Sequence, residues 1–196
     1  MVILDGPLNV DELVHDFYIE IAKSKGDILR YLVDLESNVE GWFRVEFAYY
    51  LHRRGLHEFR ERTVNGGKRI DVGFETIERI VRPYDKTVYF ELKHIIPQQD
   101  SAERPIRSWF NSYIASDMIK LHNIRDFEAE TSPEFNEKYQ LTFVSAKTED
   151  KGLDERVKPA LSDFQNGRGK DIRCNLVRCE FRPECDFGYF LLKVSS

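Results

Sequence analysis

One stretch, Arg69 to Ile95, constrains the fold more than any other: RIDVGFETIERIVRPYDKTVYFELKHI. Ile70, Val72 and Phe74 alternate with Asp71, Gly73 and Glu75, and then Val88, Phe90 and Leu92 alternate with Tyr89, Glu91 and Lys93. Strand side chains point to opposite faces with period two, so each half is a strand with one apolar face. Paired in a sheet, the two strands collect Asp71, Glu91 and Lys93 on one polar patch. Carboxylate oxygens so gathered suit a hard divalent cation. Taken singly, each residue has a plainer reading. Glu91 and Lys93 fit a solvated strand face or a cross-strand ion pair, and Asp71, after NGGKR, fits a turn-flanking aspartate.

Helical patterns precede this pair. Leu13, Val14, Phe17 and Ile21 recur at three and four residues from Asp11 to about Lys25, with Asp11 placed to cap. Asp27 opens a second helix, with Ile28, Leu32 and Leu35 on one side. Ser37 and Glu40 fit a capping box for a third helix, which runs to about Arg54 with Gly55 at its C′ position. Its apolar stripe reads as Trp42, Phe43, Tyr49 and Tyr50. Glu46 shares that side by its three- and four-residue spacings. A carboxylate there needs an arginine, a tyrosine hydroxyl or a metal-bound water.

A strand near His57–Val64 follows, then a hairpin turn at Asn65-Gly66-Gly67. Pro83 to Lys86 reads as a second turn, and Pro97 to Pro105 as a mobile loop. A helix spans Ser108 to about His122, with Trp109, Tyr113, Met118 and Leu121 as apolar positions and Tyr113 as a core residue. Ile124 to Glu137 reads as an acidic loop and Tyr139 to Ala146 as an interior strand. Asp154 to Phe164 reads as a helix and Asn166 to Lys170 as a turn. A closing hairpin takes Ile172–Phe181 and Phe187–Val194.

Composition narrows the class. At 196 residues, 41% hydrophobic and 32% charged, the chain can bury a substantial core as one domain, 1–196. No apolar run is long enough for a membrane span, and no signal-peptide pattern opens the chain. Cys174, Cys179 and Cys185 are odd in number and lack CxxC spacing, which points to a reducing, cytoplasmic setting. The net charge is −5, yet His52 to Arg69 carries six Lys/Arg against two Glu. A local basic rim of this kind can touch phosphates. The five histidines show no HExxH spacing, and neither a Walker A sequence nor GxGxxG is present.

Glu46 on a helix, Asp71 at the start of the middle of three strands, and Glu91-Leu92-Lys93 in the third resemble the motif of the PD-(D/E)XK nuclease superfamily. Ile70 stands where that pattern has proline. The resemblance covers roughly residues 37–148. It implies an α/β fold with a restriction-endonuclease-like core: a central mixed β-sheet flanked by helices, in the order αβββαβ. A helical preface (1–36) and a C-terminal helix and β-hairpin (149–196) would be added to it. It implies a nuclease that hydrolyses phosphodiester bonds, of DNA more than RNA, with Mg²⁺ (or Mn²⁺) held by Asp71, Glu91 and the Leu92 carbonyl. Lys93 would orient the nucleophile or stabilise charge on the phosphate, and Glu46 would reach the metal through water or bind a second ion. Asp117 and Lys120 are weaker candidates from the following helix, since an i,i+3 surface pair explains them equally. Glu75 is a further candidate ligand, read first as structural. A homodimer would suit double-strand cutting. A catalytically inactive nucleic-acid- or protein-binding module on the same fold is the alternative.

Overall fold

The computed structural model describes residues 3–4, 8–35, 39–64, 68–79, 83–97, 106–124, 136–146, 152–182 and 187–195. The elements are β1 (Ile3–Leu4), α1 (Val10–Ser24), α2 (Gly26–Asp34), α3 (Val39–Arg53), β2 (His57–Val64), β3 (Lys68–Arg79) and β4 (Pro83–Ile95). Then come α4 (Ile106–Trp109), a π-helical turn (Phe110–Ile114), α5 (Ala115–His122), β5 (Glu137–Ser145), α6 (Leu153–Asn166), α7 (Arg168–Asp171), β6 (Cys174–Arg182) and β7 (Phe187–Val194).

The strands form one mixed seven-stranded sheet in the order β1-β3-β4-β5-β7-β6, with β2 also pairing β3. β2, β3 and β4 make an antiparallel meander. β4 and β5 run parallel, so the chain must cross over between them, and α4 and α5 lie on that crossover. The α/β class and the central mixed sheet match the sequence reading. The closing hairpin is not an appendage: β7 pairs β5 on one side and β6 on the other.

Helices cover both faces. On one, α1, α2 and α3 pack against Val72, Phe74, Val88, Phe90, Leu141 and Phe143. On the other, α5 and α6 pack against Tyr89, Ile95, Val144, Phe190 and Leu192. Cover on both faces leaves β5 buried from Lys138 to Ser145, the polar Lys138, Gln140, Thr142 and Ser145 included. The Phe43 and Phe143 rings stack at 4.0 Å and lock α3 onto the sheet.

Local signals succeed where their physics is local. Gly55 has φ 76°, its N–H donates to His52 O, and the Leu56 N–H donates to Leu51 O. That is the Schellman arrangement glycine favours. Other details differ. Asn9, not Asp11, caps α1, accepting from the Asp11 N–H at 3.1 Å. α2 buries Leu29 and Val33, leaving Ile28 and Leu35 exposed. α3 buries Val39, Phe43, Phe47, Ala48, Tyr50 and Leu51, whereas Tyr49 is exposed. Tyr113 is 43% exposed rather than core. Pro83–Lys86 are strand, paired with Thr76–Arg79. Arg168–Asp171 form a short helix within the expected turn. The Asn65–Gly67 turn, residues 98–105 and residues 125–135 lie outside the described residues.

Gly73 marks a tight spot beside the polar patch. A Cβ there would sit 2.3 Å from Phe59 Cζ and 2.5 Å from the Val88 carbonyl oxygen. The phenyl ring can move, but the β4 backbone cannot move without breaking the ladder. Gly73→Ala is therefore expected to destabilise the fold by about 1–3 kcal/mol, measurable by urea denaturation.

Candidate active site

The β3–β4 ladder ends at Val72–Phe90. The next main-chain donor on β4, Leu92 N–H, is taken by Asp71 Oδ2 at 2.9 Å. Here the strand's strict alternation also fails, for Ile70 packs in the cluster opposite that of Val72 and Phe74. The Asp71 carboxylate thus sits where β3 and β4 cease to pair. Glu91 and Lys93 follow on the α5 side of β4. His94 turns the other way, its ring 5.6 Å from Phe43 and its Nε2 2.9 Å from Ser145 Oγ. Burial pushes its pKa down to about 4 and keeps it neutral.

Two helices complete the cluster. From α5, Lys120 Nζ lies 2.6 Å from Glu91 Oε1, and Asp117 Oδ2 lies 3.5 Å from Lys93 Nζ. From the first turn of α3, Glu40 Oε2 lies 3.3 Å from Lys93 Nζ. Arg44, one helical turn on, reaches Asp71 Oδ1 at 3.4 Å, Glu40 Oε1 at 3.3 Å and Glu61 Oε1 at 3.4 Å. Glu91 and Lys93 do not pair with each other: each is met by a residue of α5. Four carboxylates (Glu40, Asp71, Glu91, Asp117) thus face three cations (Arg44, Lys93, Lys120).

The electrostatics are strained at Glu91. Its side chain is 3% exposed. Burial, and secondarily the Asp71 charge, raise its pKa to about 8, against the opposing pull of Lys120. Burial likewise raises Asp117 above the usual carboxylate range, although Lys93 acts against it. Burial draws the Lys93 ammonium down, yet Asp117 and Glu40 together outweigh it and the net shift is upward. Glu91 Oε1 and Asp117 Oδ2 are both buried, and each lies against a lysine ammonium, Lys120 and Lys93 respectively. Carboxylate oxygens are the donors a hard cation takes, and Mg²⁺ needs only one or two of them. Among the described residues no three His, Cys, Asp or Glu side chains are arranged to chelate a metal by themselves.

The expected Asp71, Glu91 and Lys93 are therefore brought together, and the Leu92 main chain meets Asp71 through its N–H. Glu46 is not part of the cluster. It is ion-paired with Lys25, between α1 and α2, because two residues beyond Arg44 is a rotation of about 200° around the helix. Glu40 supplies the helical acid instead. Its spacing of four to Arg44 was the available signal. Glu75 is held by Arg62 and His57 at the far side of β3. Asp117 and Lys120 both reach the sheet rather than each other. The basic rim is largely committed: Arg53 pairs with Glu20, Arg54 with Asp16, Arg62 with Glu75 and Arg69 with Glu61.

Asp71 and Arg44 open onto a cleft of about 730 Å³ between α3 and β2, also lined by Arg60 and Phe59. No helix among the described residues is long and apolar enough to cross a membrane. Comparisons with protein-family models, curated proteins and solved structures give no match to this chain.

Proposed function

We propose that the chain is a metal-dependent nuclease that hydrolyses phosphodiester bonds of nucleic acid, DNA in preference to RNA. The observation that carries this reading is the meeting of Asp71, Glu91 and Lys93 with Asp117 and Glu40 where β3 and β4 stop pairing. The order α3, β2, β3, β4, α5, β5 supports a restriction-endonuclease-like core. Asp71 and Glu91 would hold Mg²⁺ or Mn²⁺, with the Leu92 carbonyl as a third oxygen donor. The bound ion supplies Lewis acidity and a more acidic water.

The remaining tasks belong to the chain itself. Lys93 presents an ammonium to charge developing on the phosphate. Asp117 and Glu40 grip that ammonium from two helices and fix its direction, as preorganised catalysis requires. Burial makes each of these charges count for more than it would in water. Lys120 holds the Glu91 carboxyl in place when no ion is bound. Arg60, exposed at the cleft, is placed to meet a phosphate of the substrate strand.

A second reading is favoured by one specific observation. Glu91, Asp117 and Asp71 already have their own cations in Lys120, Lys93 and Arg44. An internally balanced cluster fits a catalytically inactive module that binds nucleic acid or protein. Calorimetric titration with Mn²⁺ separates the two. The nuclease reading expects saturable binding that Asp71→Asn and Glu91→Gln each abolish. Absence of binding to the wild type favours the inactive module.

A further inference from the structure

Lys93 also lines a second groove, of about 320 Å³. One wall is aromatic: the Trp109 and Tyr113 rings lie 4.8 Å apart, centroid to centroid, tilted by 38°. The facing side carries Glu40, Lys93 and His94. Two of those three, Glu40 and Lys93, belong to the candidate active site, so the groove continues that site rather than standing apart from it.

The helix is built to place these rings. Trp109, Tyr113 and Asp117 follow one another at intervals of four, and Asp117 grips Lys93. Four-residue steps drift around an α-helix, because its turn is shorter than four residues. The π-helical turn at Phe110–Ile114 is wider and takes up that drift. The two rings and the acid therefore stay on one side, towards the β4 end. Tyr113 has no core role here, being 43% exposed.

We infer that this groove seats one unstacked nucleobase of the substrate, next to the phosphate at Lys93, and that the substrate is therefore single-stranded or frayed nucleic acid. The inference rests on the nuclease reading. Every base offers a π-face to an aromatic wall, whereas bases inside a duplex are already stacked and out of reach. Charge points the same way. The chain is acidic overall, at −5, and Arg44, Arg62 and Arg69 near the site are engaged by carboxylates. A long electrostatic track for a duplex backbone is thus lacking among the described residues, and stacking is left to hold the strand.

The test uses the full chain in EDTA and, in parallel, with Ca²⁺ in place of Mg²⁺, so that binding is read without cleavage. The chain has two tryptophans, Trp42 and Trp109, so Trp42→Phe leaves Trp109 as the sole reporter. A short oligothymidylate is expected to quench Trp109 emission, and its duplex with oligoadenylate is not. By fluorescence anisotropy of a labelled oligothymidylate, Tyr113→Ala should weaken binding about ten-fold, while Tyr113→Phe, which keeps the ring, binds as the parent does. Binding that leaves Trp109 emission unchanged and is indifferent to Tyr113→Ala overturns the base site and leaves the nuclease reading intact. Absence of binding to any nucleic acid, single- or double-stranded, in both conditions overturns both.

Discussion

Lys93→Met is expected to lower Mg²⁺-dependent cleavage by about 10²–10³-fold, the size of effect seen when one preorganised donor to a developing charge is removed. Methionine keeps the unbranched stem, so packing against the sheet survives while the ammonium is lost. The structural cost should be small by comparison. Loss of Lys93 leaves Glu40 and Asp117 without their shared cation. Asp117, whose pKa burial already raises, can take up a proton instead of remaining as a bare buried charge. A loss of about 1 kcal/mol in stability is expected. Single-turnover cleavage and a thermal melt on the same preparation check both numbers. A variant that folds and cuts at the wild-type rate would remove Lys93 from the chemistry.

Glu91→Gln should change how the metal-free protein responds to pH. The folded Glu91 carboxyl holds its proton to about pH 8, whereas the group's ordinary value is 4.5. Between those values the folded state binds more protons than the unfolded chain, so stability falls as pH rises through that window. The contribution is complete below about pH 4.5 and exhausted above about pH 8. A gap of that width corresponds to roughly 5 kcal/mol, which Lys120 and local relaxation will lessen. Glutamine cannot ionise, and it resembles the neutral carboxyl already present at pH 6. The variant should match wild type near pH 5 and exceed it by several kcal/mol at pH 8.5, in urea unfolding with EDTA present. Parallel profiles for the two proteins would show that Glu91 is not a buried, proton-holding group. The same burial explains why an ion would be welcome there: it relieves a charge the fold otherwise resists.

The strand pair was legible because alternation and burial of a face are local facts about successive residues. Asp71, Glu91 and Lys93 followed directly from it. The Gly55 stop was legible for a similar reason, since a left-handed φ and two hydrogen bonds decide it. Helix α3 was not. It carries apolar residues on most sides, with Val45 and Tyr49 exposed and Phe47 and Leu51 buried, so sequence alone does not select the face that meets the sheet. Choosing the wrong face put Glu46 in the site and left Glu40 as a mere cap. Asp117 and Lys120, three residues apart, could pair with each other on an isolated helix. Only the packing of α5 against β4 sends one to Lys93 and the other to Glu91. The insertion of β7 beside β5 is likewise a long-range choice that no local pattern encodes.

The central claim is tested most directly by one side-by-side assay. Wild type and Asp71→Asn, purified identically, are incubated with end-labelled single-stranded and duplex DNA in Mg²⁺, in Mn²⁺ and in EDTA. The account predicts cleavage by wild type with either metal, none in EDTA, and none above background for Asp71→Asn. Intact DNA under every condition, or equal cleavage by the two proteins, would contradict it.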